Sequence, residues 1–121
     1  VVSLRGAALR RFLETLVEGN TVRNHVSGVR IEYDPAAPRG SRLRRVTFAD
    51  GSRLDDRRRY RVAMTDFMAS GGEGAAFGPD AVVEELNLVD LDVLVDHLRA
   101  QPDGRFVPTA ALKAPRIVAI K

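Results

Sequence analysis

Phe67 and Glu73 are the residues whose types and spacing could do chemistry here. They stand six positions apart in Asp66-Phe67-Met68-Ala69-Ser70-Gly71-Gly72-Glu73-Gly74-Ala75-Ala76-Phe77, with three glycines inside four residues. Glycine takes φ > 0 at little cost and lets a ligand approach the backbone closely. Successive backbone N–H groups in such a turn can form a small anion-binding concavity. The stretch therefore offers a flat apolar face and a hydrogen-bond acceptor held around one bend. On these residues alone it is either a binding site or only a tight turn.

Bond-breaking chemistry finds less support. There are no cysteines, which rules out disulfides and thiolate metal sites. The two histidines, His25 and His97, are too few for a His-rich metal centre. Hydrolytic metal sites need clustered His, Asp and Glu ligands, and no HExxH or HxxEH spacing occurs. Ser70 lacks a Gly-x-Ser-x-Gly setting. Gly71-Gly72-Glu73-Gly74 is not followed by Gly-Lys-Ser/Thr, so it is no P-loop. Asp55 and Asp56 are sequence neighbours, which on a strand do not converge. The chain by itself is expected to break no bond, and neither a catalytic nor a metal-ligating residue is assigned.

The elements that must position this loop follow from the rest of the chain. Its 121 residues suit one domain, 1–121, large enough to bury a core without staples. The composition, 45% hydrophobic and 29% charged, is that of an ordinary soluble globular protein. No apolar run is long enough to span a bilayer. The net charge is +3, with Lys and Arg scattered among acids except in Arg57-Arg58-Arg59-Tyr60-Arg61. That run follows Asp55-Asp56 and reads as a solvated turn, not as a nucleic-acid groove with interleaved stacking aromatics. The chain opens on Val1 and not on Met, and reads as a piece of something longer.

Val1 to Leu4 read as a short strand, and Gly6 opens a helix. Ala8, Leu9, Phe12, Leu13, Leu16 and Val17 form its apolar stripe. Arg10, Arg11, Glu14 and Glu18 take the other face, and Gly19-Asn20 stop it. Val29, Ile31 and Tyr33 alternate as a half-buried strand. Leu43, Val46 and Phe48 mark a second, whose phase slip predicts a bulge. Asp50-Gly51 signals a hairpin. Tyr60, Val62 and Met64 form a third strand running into Asp66-Phe67. Ala81 to Glu85 read as a short strand. Asp90 is the expected N-cap of a helix with Leu91, Leu94, Val95 and Leu98 inward and His97 outward. Arg105 to Val107 and Arg116 to Ile120 read as closing strands. Without strand–helix alternation throughout, the fold is α+β, with helices outside a mostly antiparallel sheet.

The ordered set Val26-Ser27-Gly28-Val29-Arg30-Ile31-Glu32-Tyr33-Asp34, Pro38-Arg39-Gly40-Ser41-Arg42, Asp50-Gly51, Tyr60-Arg61-Val62-Ala63 and Asp66 to Gly74 resembles the C-terminal domain of the 5′-nucleotidases. Leu4-Arg5-Gly6-Ala7-Ala8-Leu9 matches that domain's strand-to-helix junction. The resemblance implies a layered α/β/β/α domain that supplies a nucleoside pocket. It also implies a partner in cis, an N-terminal metallophosphoesterase domain with two divalent metal ions, missing from this stretch. Members include ecto-5′-nucleotidase, UDP-sugar hydrolase and 2′,3′-cyclic-nucleotide phosphodiesterases. The resemblance makes Phe67 a base-stacking ring and Glu73 the acceptor for the ribose hydroxyls, where the family usually carries Asp. Asp66, Gly71 and Gly72 join them as substrate-binding residues. The family's second stacking Phe and its Arg and Asn pocket residues fall upstream of Val1. Location in the periplasm, at the cell surface or outside the cell is implied by the family alone. The other reading is a structural or interaction module without a ligand, with Phe67 in the core and Glu73 solvated.

Overall fold

A computed structural model of the protein describes residues 1–19 and 24–120, the side chains of Glu73 and Ala111 excepted. The first helix, expected to run to a stop at Gly19-Asn20, ends earlier, at Thr15; Asn20 itself lies outside the described residues. The chain divides into two compact units, one of Val1–Glu84 with Arg116–Lys121 and one of Glu85–Pro115.

The larger unit is built on two three-stranded sheets. In the first, β1 (Val2–Arg5) pairs antiparallel with β4 (Arg59–Val62) on one side and β5 (Val82–Val83) on the other. In the second, β2 (Val29–Tyr33) pairs antiparallel with β3 (Leu43–Phe48) and parallel with β6 (Ile117–Ala119). The architecture is α+β with mostly antiparallel pairing, as the sequence predicts. Alternation explains β1: Val2 and Leu4 are wholly buried while Ser3 and Arg5 are not. The predicted bulge is present. Glu32 faces Arg45 and Tyr33 faces Leu43, so Arg44 is the extra residue. The Asp50-Gly51 turn closes with Gly51 at φ 82° and the Phe48 amide donating to Ser52 O at 2.9 Å. The Ser52 hydroxyl, bonded to Asp50, holds that carboxyl below the usual carboxylate range. The returning chain makes only a Thr47–Arg53 bridge.

Helix α1 (Gly6–Thr15) follows β1 without a linker. Its stripe Ala8, Leu9, Phe12 and Leu13, continued by Leu16 and Val17, is buried as expected and forms one cluster with Val2, Leu4, Ile31, Val46 and Leu54. No side chain caps its N-terminus. Instead the Gly6 and Ala7 amides donate to Arg58 O and Asp56 O at 2.8 and 3.0 Å, which satisfies two of the free donors at that end. At the other end Arg42 Nη1 donates to the carbonyls of Val17 and Glu18 at 3.0 and 2.9 Å.

Glu14 departs from expectation. Helical spacing puts it on the polar face of α1, yet it is only 8% exposed. The cause is a pair of backbone donors from across the fold: the amides of Arg42 and Leu43 bond its Oε1 and Oε2. A carboxylate so paired tolerates burial. Glu14→Ala orphans both amides and is expected to cost about 2 kcal/mol, read as a lowered denaturant midpoint with unchanged m-value.

The third strand is shorter than predicted. β4 ends at Val62, and the residues up to Thr65 lie outside the ladder. The Tyr60 ring stacks on Phe48 at 4.9 Å, an aromatic contact from one sheet to the other.

The smaller unit holds α3 (Asp90–Arg99), a 3₁₀ turn at Pro102–Gly104 and α4 (Ala110–Lys113). Asp90 is the first helical residue of α3, and Val89 occupies the cap. Asp90 and Asp92 in the first turn and His97 and Arg99 in the last complement the helix dipole. The inward stripe is not realised: Leu91 and Leu94 remain 62% and 53% exposed, and Leu98 is exposed too. A segment of about 30 residues cannot enclose its own core. Arg105 to Val107 form no strand. The Arg105 amide closes a turn onto Pro102 O at 3.1 Å, and the Phe106 ring tilts toward His97 at 6.2 Å.

Candidate functional site

The glycine stretch is more regular than a loop. Thr65 accepts a hydrogen bond from the Met68 amide through Oγ1 at 3.3 Å and so caps a one-turn helix, α2 (Asp66–Ala69). The chain then passes Gly71 at φ 98° into a 3₁₀ turn, Gly72–Gly74, and leaves through Gly74 at φ 75°. Gly71 and Gly74 sit in the left-handed region, where a Cβ is costly.

Each end of this segment faces a different way. Met68 and Ala69 of α2 pack partly buried against the main core, whereas Phe67 beside them is 62% exposed. That exposure excludes a core role for Phe67. Its ring is nonetheless confined. A Cβ built on Gly72 would stand 2.5 Å from Phe67 Cε1 and 2.6 Å from Cδ1, so the ring edge fills the space a side chain would take. Further on, Ala75 and Phe77 are buried. The Phe77 ring meets Phe12 of α1 at 5.4 Å and 55°. The segment is thus pinned into the core at Phe77 and presents Phe67 to solvent at its start. In the sequence Phe77 reads only as the start of a turn. Its one available signal is a lone aromatic just after a polar, glycine-rich run.

Asp66 Oδ1 accepts the Phe67 amide at 2.7 Å, and Asp66 O accepts the Ser70 amide and hydroxyl, each at 2.8 Å. Asp66 therefore organises the turn, and the Ser70 hydroxyl donates to its backbone carbonyl. Gly71 and Gly72 carry the bend beneath the ring. The Glu73 side chain lies outside the described residues. Asp55 and Asp56 have separate partners, the Arg57 amide at 2.8 Å and Arg10 at 2.9 Å. In the basic run, Arg59 donates to Asp80 O at 3.0 Å, Arg61 pairs with Glu84 at 2.7 Å and Arg58 lies over Tyr60. Among the described residues no three of His, Asp and Glu converge on a metal position, so the described part of this chain offers no fit for a hydrolytic metal pair. No described helix is long and apolar enough to cross a membrane.

A separate, mainly apolar cavity of about 480 Å³ opens between α1 and the two sheets. Leu9, Leu13, Phe48, Val62 and Met64 line it, with Asn24 and His25 among them. Met68 reaches it from α2 while Phe67 does not.

Comparison with known proteins gives three findings. A family model described as 5′-nucleotidase, C-terminal domain matches residues 1–79. No curated protein matches the chain. Among solved structures, the chain is similar to the 5′-nucleotidase precursor from Thermus thermophilus, at 26% identity and a TM-score of 0.83. The match covers 98% of this chain and 24% of that one, so the chain spans about a quarter of that relative's length.

Proposed function

Because the chain belongs to the 5′-nucleotidase C-terminal domain family, we propose that it is the nucleoside-binding part of a two-domain, metal-dependent phosphohydrolase. Phe67 stacks on the base, and the Glu73 carboxylate accepts hydrogen bonds from the ribose hydroxyls. Asp66, Gly71 and Gly72 form the turn that holds both. An N-terminal domain in cis holds two divalent ions, which supply the hydrolysis of the phosphate ester. This chain binds and orients the substrate, and by itself it turns nothing over. The whole protein works in the periplasm, at the cell surface or outside the cell.

The observation that carries this reading is the placement of Phe67. A large aromatic left in solvent, with its ring edge against the bare Gly72 backbone and its segment anchored to the core at Phe77, is what a stacking platform requires. Stacking of a base on such a ring contributes about 1–3 kcal/mol and tolerates different bases. A carboxylate bridging two hydroxyls makes charge-assisted bonds, stronger than neutral ones. With one ring and one acid the expected affinity is about millimolar, roughly −4 kcal/mol.

Amide shifts followed by NMR during an adenosine titration test this. Movement is expected across Asp66 to Gly74, saturating near or above about 1 mM. Adenosine lacking both ribose hydroxyls is expected to bind about tenfold more weakly. No movement around Phe67 at concentrations well beyond that range, with shifts elsewhere, would overturn the assignment.

A further inference from the structure

We infer that Gly72 is a positioning residue for Phe67, and that its missing side chain, not its backbone freedom, is what the site uses. The inference rests on the proposed stacking role of Phe67 for its functional meaning. Its structural content stands apart from that reading.

The three glycines of the segment differ in what they provide. Gly71 and Gly74 have φ of 98° and 75°, so conformational freedom accounts for both. A Cβ on Gly74 would meet nothing within 4 Å. Gly72 is the reverse case. Its φ lies outside the left-handed region, so any residue could adopt its backbone. A Cβ there would instead stand 2.5 Å from Phe67 O and Phe67 Cε1, and 2.6 Å from Cδ1. Distances under 3.0 Å force something to move. The Phe67 carbonyl is backbone of the single turn of α2, so only a backbone shift relieves that contact. The ring must therefore leave its position, and because that leaves the contact with the carbonyl in place, α2 must shift as well. Both changes alter the direction in which Phe67 faces solvent. An exposed Phe would otherwise sample several χ1 wells. Close packing of one ring edge against a bare α-carbon removes that freedom before any ligand arrives, and preorganisation of this kind lowers the cost of binding.

Three measurements on the whole chain test the inference. In the unsubstituted protein, NOEs are expected between the Gly72 α-protons and the Phe67 Hδ and Hε protons. Their absence would overturn it, even if no variant folds. Second, a double-mutant cycle of Gly72→Ala and Phe67→Ala is expected to show coupling, with Gly72→Ala less damaging to Tm once the ring is gone. Equal penalties in both backgrounds would overturn it. Third, Gly72→Ala is expected to weaken adenosine binding about tenfold, as loss of stacking does. Gly51→Ala, which strains a left-handed backbone position in the β3 hairpin turn outside this segment, is expected to change it by less than about twofold. Equal loss of affinity in the two variants would contradict the positioning role. If the unsubstituted chain does not bind adenosine while the NOEs and the coupling are present, the nucleoside reading fails and the positioning of the ring by Gly72 holds.

Discussion

Gly6→Ala is expected to be strongly destabilising. Gly6 sits where β1 turns directly into α1, and its amide donates to Arg58 O at 2.8 Å. A Cβ there would stand 1.9 Å from Asp55 O and 2.7 Å from Asp55 C. Those atoms are backbone, held in place because Ala7 bonds Asp56 O and Arg58 bonds Asp55 O. No rotamer change relieves the clash. The 55–58 turn has to withdraw, and both capping bonds at the start of α1 go with it. Overpacking of a rigid site costs about 1–3 kcal/mol, and loss of the paired amides adds to that. A total above about 3 kcal/mol is expected, which lowers Tm by about 10 °C or more for a domain of this size. Thermal unfolding by circular dichroism checks it. A shift of only one or two degrees would show that the β1–α1 junction is looser than described.

Phe67→Ala is expected to have the opposite profile, with little effect on stability and a large effect on binding. Its ring is 62% exposed and contributes little to the main cluster. Truncation should therefore change stability by about 0.5 kcal/mol or less. The stacking it removes is worth about 1–3 kcal/mol, a fall in affinity of roughly tenfold or more. Starting from about millimolar, the variant should show no saturation with adenosine. Calorimetric unfolding and an adenosine titration on the same sample separate the two effects. Retained affinity would remove Phe67 from the site. A large loss of stability would mean the ring is structural after all.

Local pattern carried much of the fold. Period-2 alternation marked β2 and β4, a helical stripe marked α1, and a phase slip between Leu43 and Val46 announced the bulge that the strand register places at Arg44. These features depend on neighbours in sequence. What was not legible depends on groups far apart. Glu14 looks like a solvent-face residue until the amides of Arg42 and Leu43 arrive beneath it. Gly6 looks like a helix opener, and only the turn at Asp55 shows why a side chain is excluded. Leu91 and Leu94 obey helical spacing but their own segment has nothing to bury them. At the site, residue types alone singled out Phe67 and the glycines, and the ordered motifs pointed to the family that now matches residues 1–79. The anchoring of the segment through Phe77 onto Phe12 and the contact between Gly72 and Phe67 required coordinates. Neither contact has a sequence periodicity that could announce it.

The central claim is that a nucleoside base lies on the Phe67 ring. Intermolecular NOEs in a sample loaded with adenosine test it most directly. The account predicts cross-peaks between the adenine H2 and H8 protons and the ring protons of Phe67, absent in Phe67→Ala. Cross-peaks from adenine to Met64 or Leu13 in the apolar cavity, with none to Phe67, would contradict it.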